Sequence, residues 1–224
     1  MEAEPIDIPL GEGARVSGLW LAPPAASACL VLAHGAGAGM RHKAMAATAQ
    51  GLAERGVATL RYQFLYMEKG GKRVDAPPVA HNAVRHAVAA ARALTPALPL
   101  FAGGRSFGGR MTSQAQAAAP LEGVRGLAFL GFPLHPAGKP SDARARHLGD
   151  VHVPMLFIQG TRDKLAELTL LESVVKRLGA QASLHQVAEA DHSFHVLARS
   201  GRNDREVMSE VVGRLSDWIG ARTG

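Results

Sequence analysis

The sequence predicts an α/β fold: a mainly parallel sheet of about eight strands with helices on both faces. Short apolar runs alternate with segments of helical periodicity from about residue 28 onward. A glycine-flanked serine stands where one of those runs turns into a helix, at Gly104-Arg105-Ser106-Phe107-Gly108. The residues of most telling chemistry, His34, Ser106, Asp163 and His192, each lie just beyond a predicted strand end. That rim is where open parallel sheets gather their active groups.

Each element has its own signal. Ile6 to Leu21 reads as two short antiparallel strands around Gly11-Glu12-Gly13, with Val16, Leu19 and Leu21 at apolar positions. Pro23-Pro24 breaks the chain, and Cys29–Ala33 is a continuous apolar run, as expected of a strand buried on both faces. It ends in His34-Gly35-Ala36-Gly37-Ala38-Gly39. A helix is expected from about Lys43 to Arg55, closed by Gly56, and a strand at Val57–Tyr62. Gln63–Pro78 lacks periodicity and carries Gly70-Gly71 and Pro77-Pro78, so a long loop is expected there. Val79–Leu94 is an amphipathic helix through Val84, Ala87, Val88, Ala91 and Leu94.

Leu98, Leu100 and Phe101 lead into the serine turn, and a helix-permissive segment follows from Arg110 to Ala119. Gly126–Gly131 is a further strand, and Phe132–Val153 is irregular, with Pro133, Pro136 and Pro140. Met155–Gln159 is a strand, and Leu165–Leu178 a helix expected to face Leu168, Leu171, Val175 and Leu178 inward. Ser183–Val187 is the last strand. The closing helix, Arg205–Ile219, is expected to bury Val207, Val211, Leu215, Trp218 and Ile219.

Composition narrows the classes. A chain of 224 residues with 47% apolar and 20% charged residues is expected to form a single folded domain over 1–224. The formal charge of +6 is spread without a dense basic run or interleaved aromatics, so no nucleic-acid role is expected. Cys29 is the only cysteine, which excludes an intramolecular disulfide. The acidic start Met1-Glu2-Ala3-Glu4-Pro5 does not resemble a secretory signal, and no apolar run is long enough for a bilayer. A cytoplasmic location without membrane association is the expectation.

The serine turn carries the chemistry. A strand-to-helix turn this sharp strains the serine backbone and leaves no room for side chains two residues to either side; Gly104 and Gly108 supply that room. A serine hydroxyl needs a base to become a nucleophile. His192, in Ala190-Asp191-His192-Ser193-Phe194 between the last strand and the last helix, is the candidate, with His195 and His135 as competitors. The base needs a carboxylate to set its tautomer. Asp163, closing Gln159-Gly160-Thr161-Arg162-Asp163, is the candidate over Asp191, whose side chain should point away from its sequence neighbour. A helix N-cap is the competing role for Asp163. The backbone N–H groups of Phe107 and Ala36 are assigned to an oxyanion hole, with Gly37 as the alternative to Ala36, and His34 is expected to brace that loop.

Taken together, Leu32-Ala33-His34-Gly35-Ala36-Gly37, Gly103 to Arg110, Gln159 to Asp163 and Asp191 to Phe194 resemble the α/β-hydrolase superfamily. The order serine, aspartate, histidine is that family's order. The sequence is most similar to small single-domain members, the dienelactone-hydrolase-like and testis-expressed-30-like group. Arg61 to Tyr66 and Gly131 to Pro136 resemble its intermediate motifs. The resemblance implies an eight-stranded sheet, a Ser106/His192/Asp163 triad and no metal or organic cofactor. Dienelactone hydrolases use a cysteine where this chain has Ser106, and Leu65 stands where relatives often carry proline.

Serine with an oxyanion hole suits attack on an ester carbonyl through an acyl-enzyme. The Phe132–Val153 interval is too short for a lid domain, so an open site for a small water-soluble ester is expected. Tyr62, Phe64, Tyr66 and His135 are the expected pocket lining, and Arg105, Arg110, Arg144 and Arg146 would favour acidic substrates if they face it. The competing reading is a hydrolase-fold interaction module with little activity.

Overall fold

Every residue from Met1 to Gly224 is described by the computed structural model. A hairpin of β1 (Glu4–Gly11) and β2 (Ala14–Leu21) opens the chain. β3 (Ala28–Ala33), α1 (Lys43–Ala53) and β4 (Val57–Tyr62) follow, then a single helical turn α2 (Leu65–Glu68) and α3 (Pro77–Leu94). β5 (Leu100–Arg105), α4 (Phe107–Ala118), β6 (Val124–Leu130), β7 (Met155–Gly160), α5 (Leu168–Leu178), β8 (Ala182–Val187) and α6 (Asp204–Gly220) complete it. The strands form one sheet in the order β1-β2-β4-β3-β5-β6-β7-β8, parallel from β4 onward and antiparallel at β1 and β2.

Side-chain alternation explains why both faces are covered. In β3, Cys29, Val31 and Ala33 pack into the layer of α3, α4 and α5, while Ala28, Leu30 and Leu32 pack into the layer of α1 and α6. All residues of β3, β4 and β7 are buried; β3 reads as an unbroken apolar run for that reason, while β4 also encloses Thr59 and Arg61 and β7 encloses Gln159. β8 lies at the sheet edge, and only Val187 of its residues is buried.

Four stretches differ from the sequence expectation. α2 interrupts the expected loop at Gln63–Pro78, and α3 starts at Pro77 because a proline in the first turn gives up only an N–H that has no helical acceptor. A 3₁₀ helix at Ala143–Asp150 orders part of the irregular interval before β7, and no lid domain is inserted there. α5 starts at Leu168, because residues 163–166 turn back on themselves: Asp163 Oδ1 accepts from Leu165 N at 2.7 Å. α5 buries Leu171 and Val174, leaving Leu168, Val175 and Leu178 half-buried over the sheet edge.

The chain leaves β3 to one side for β4 and then crosses over to β5 on the other. This reversal opens a crevice at the carboxyl ends of β3 and β5, where ligands of open α/β sheets bind. The His34 loop follows β3 and Ser106 follows β5.

Candidate active site

Ser106 is the single residue between β5 and α4, with φ 48° and ψ −115°. A non-glycine residue held there costs about 1–3 kcal/mol, so its surroundings must enforce it. They do: Ser106 N donates to Leu130 O at 3.1 Å, and Arg110 N donates to Ser106 O at 3.1 Å. The flanking glycines are needed for close approach to β3. A Cβ on Gly104 would sit 2.4 Å from Ala33 O, and one on Gly108 would sit 2.5 Å from His34 O. The turn therefore presses the serine against the loop after β3.

Ser106 Oγ lies 2.8 Å from His192 Nε2, and His192 Nδ1 lies 2.6 Å from Asp163 Oδ2. The Asp163 side chain is fully buried and that of His192 is 25% exposed, so the carboxylate is screened from water while the imidazole edge remains reachable. An ionised carboxylate only accepts, so the proton of the neutral ring sits on Nδ1 and Nε2 is free to accept from the serine hydroxyl. Asp163 serves no helix as a cap, since Glu167 occupies that position of α5.

The competitors are otherwise engaged. His195 Nδ1 pairs with Asp204 at 2.9 Å on the exposed face, and the Asp204 carboxylate pushes the imidazole pKa above its ordinary value. His135 is buried, with Nδ1 2.9 Å from Pro136 O and Nε2 accepting from Glu167 N at 3.0 Å. Asp191 Oδ1 accepts from Ser193 N at 2.7 Å and His195 N at 3.0 Å, shaping the histidine loop instead of orienting the ring.

The Ala36 and Phe107 N–H groups make no hydrogen bond within the protein. Gly37 N–H donates to Tyr66 Oη at 3.1 Å and is not free for an oxyanion. His34 links this loop to the next strand. Its Nε2 accepts from Phe64 N at 3.1 Å, so the neutral ring carries its proton on Nδ1, which donates to Gly35 O at 2.8 Å. Burial pushes the His34 pKa below its ordinary value and so favours the neutral ring, an effect the Gly35 carbonyl partly offsets. Because C=O and N–H point oppositely in a trans peptide, fixing Gly35 O also fixes the direction of Ala36 N–H.

The expected pocket lining is corrected. A cavity of about 330 Å³ contains Ser106 and His192 and is walled by Ala36, His42, Met45, Arg105 and Leu165 among others. Tyr62, Phe64, Tyr66 and His135 do not line it. Tyr62 and Phe64 are fully buried because the end of β4 runs beneath the His34 loop, where the Phe64 ring packs edge-on against His34 at 5.0 Å and Phe107 at 5.2 Å. Tyr66 stands behind the loop. Of the four arginines that would favour acidic substrates if they faced the pocket, Arg105 lines the cavity; Arg110, Arg144 and Arg146 do not.

One residue near the carboxylate escaped the sequence reading. Gln159, fully buried in β7, donates from Nε2 to Asp163 Oδ2 and accepts from Phe132 N at 2.8 Å. Its signal was present: a glutamine inside the apolar run Met155–Gly160 must satisfy its amide there.

The sheet order, the strained serine turn and the rim of strand ends define an α/β hydrolase fold. Residues 26–220 match the model of the alpha/beta hydrolase domain family, and the chain belongs to that family. Among solved structures it is similar to dienelactone hydrolase from Anabaena variabilis, at 20% identity and a TM-score of 0.78, over 99% of this chain and 98% of that one. It is also similar to a serine hydrolase without lid from Xanthomonas campestris, at 21% identity and TM-score 0.74, over 97% and 95% of the chains. Est1E from Butyrivibrio proteoclasticus, with ferulic acid bound, aligns at 16% identity and TM-score 0.76, over 97% and 98%.

Proposed function

We propose that the protein is a serine hydrolase that cleaves small water-soluble carboxylic esters, with Ser106 as nucleophile, His192 as base and Asp163 as the orienting carboxylate. The observation that carries this reading is the unbroken hydrogen-bond chain Ser106 Oγ–His192–Asp163 at 2.8 and 2.6 Å. His192 Nε2 takes the hydroxyl proton as Oγ attacks the ester carbonyl, and Asp163 stabilises the imidazolium. The tetrahedral oxyanion is met by the free N–H groups of Ala36 and Phe107, each worth about 10²–10³ in kcat. His192 then protonates the departing alcohol, and a water deprotonated by the same nitrogen releases the acid. The open cavity and its modest volume favour short acyl chains.

A fluorophosphonate probe tests this directly. Covalent labelling of the folded protein that disappears in Ser106→Ala is the expected result. A folded wild-type protein that takes no label would overturn the reading and favour a non-catalytic interaction module.

A further inference from the structure

Gln159 grips two parts of the site with the two ends of one amide. It is fully buried near the end of β7, in a strand whose other side chains are apolar. Its Oε1 accepts from Phe132 N at 2.8 Å, and a backbone N–H only donates, which fixes the orientation of the amide. Nε2 is thereby committed to Asp163 Oδ2, to which it donates. That oxygen also accepts from His192 Nδ1 at 2.6 Å, while Asp163 Oδ1 takes Leu165 N at 2.7 Å. No arginine or lysine lies within ion-pair distance of this carboxylate. A buried charge without a fixed counter-ion depends on such donors.

The other end of the amide acts beneath the imidazole. Gly131 N donates to Ile158 O at 2.9 Å and Phe132 N donates to the Gln159 side chain, so successive residues of β7 pin one turn. Gly131 has φ 70°, and a Cβ there would meet His192 O at 3.2 Å and His192 Nδ1 at 3.4 Å. The imidazole therefore lies directly against the turn that Gln159 holds.

Resting on the esterase reading above, we propose that Gln159 is a positioning residue for catalysis: it fixes the Asp163 carboxylate and the Gly131–Phe132 turn together, and so holds the His192 ring between them. Glutamine is the side chain that fits both tasks. An asparagine is one methylene short, and a methionine fills the space but makes neither hydrogen bond. A glutamate has the shape but brings a second buried negative charge beside Asp163.

Gln159→Met and Gln159→Glu test this on 4-nitrophenyl acetate, with stability followed in urea. In Gln159→Met, kcat should fall at least about tenfold with KM nearly unchanged. The acid limb of its kcat/KM profile should move to higher pH, because Oδ2 is no longer shared and attracts the imidazolium more strongly. Arg105, Arg162, Lys164, Asp191 and His195 are the other charged groups around His192, and both variants leave them in place. A moved limb therefore reports the amide. Gln159→Glu keeps an oxygen for Phe132 N and donates to Asp163 only while the two carboxyls share a proton. It should retain more of kcat than Gln159→Met in mild acid and lose that margin as rising pH removes the shared proton. A folded Gln159→Met protein with wild-type kcat and an unmoved limb overturns the proposal, as does a loss of kcat that only follows stability. Should Gln159→Met fail to fold, Gln159→Glu decides, and wild-type kcat across the pH range overturns the proposal. The His192 Nδ1 proton, read by NMR, gives an answer without turnover: its resonance should shift in either variant and stay in place if Gln159 only fills space. Wild-type protein that takes no fluorophosphonate label would count against the esterase reading alone, because that resonance still reports the link from Gln159 through Asp163 to His192.

Discussion

Substituting His34 should separate its two hydrogen bonds into two distinct losses. Its ring is fully buried between Phe64 N, which donates to Nε2 at 3.1 Å, and Gly35 O, which accepts from Nδ1 at 2.8 Å. His34→Ala strands the Phe64 N–H, at a cost of about 1–3 kcal/mol, and leaves Gly35 O only the long bond from Ala38 N at 3.4 Å. It also leaves a void beneath Phe64 and Phe107. A stability loss of at least about 1–3 kcal/mol is therefore expected, and the Gly35–Ala36 peptide is then held only through the weak Ala38 N–H bond to Gly35 O. If the Ala36 N–H leaves the oxyanion position, kcat should fall by about 10²–10³.

The conservative variants separate the effects. An asparagine amide reaches the position of Nδ1 and can still donate to Gly35 O, but it cannot reach Phe64 N. A glutamine oxygen reaches the position of Nε2 and can accept from Phe64 N, but it leaves Gly35 O to the long bond from Ala38 N at 3.4 Å alone. His34→Asn should thus keep most of kcat on 4-nitrophenyl acetate while losing stability in urea. His34→Gln should keep most of its stability while losing kcat. If both variants lose activity only in step with stability, His34 acts on the fold alone, and the control of the Ala36 N–H through the peptide plane is wrong.

Asp163→Asn should leave the fold intact and lower kcat by about 10³–10⁴, because an amide at Oδ2 no longer demands a proton on His192 Nδ1; single-turnover kinetics read it. Gly160→Ala should unfold the rim or cost more than about 3 kcal/mol by chemical denaturation, since its Cβ would lie 2.3 Å from Ala190 O and 2.6 Å from Asp191 O. His147 is held down at about 4 by burial, with Arg110 and His81 adding to the effect. On acidification the unfolded chain takes up this proton near pH 6.5 and the folded chain only near 4, so its contribution is full above 6.5 and declines as pH falls between them. His147→Asn should flatten that part of the stability profile in urea titrations at stepped pH. In a series of 4-nitrophenyl esters, kcat/KM should fall as the acyl chain lengthens past what a 330 Å³ cavity holds; a rise with chain length would contradict the small open site.

The fold was legible wherever one physical requirement left a single kind of residue. β3 must bury both faces, so its sequence is apolar without alternation, and the structure places every one of its residues inside. Gly104 and Gly108 approach the backbone of Ala33 and His34 too closely for any Cβ, so glycine is dictated there before the neighbours are known. The cavity wall was not legible in this way. Aromatic residues after β4 satisfy a buried layer as readily as a pocket, and which of the two they meet depends on the direction in which the chain leaves the strand. That direction is set by the Phe64 N–H bond to His34, a contact between residues 30 apart in the chain. His42 and Gln159 were hidden for a related reason: one does a capping task that other residue types usually perform, and the other's task exists only once Asp163 and Phe132 are brought beside it. Arg105 is the informative opposite. Its neighbours in sequence mark the serine turn, but nothing local requires an arginine there, and the fold then encloses its charge without an ion-pair partner.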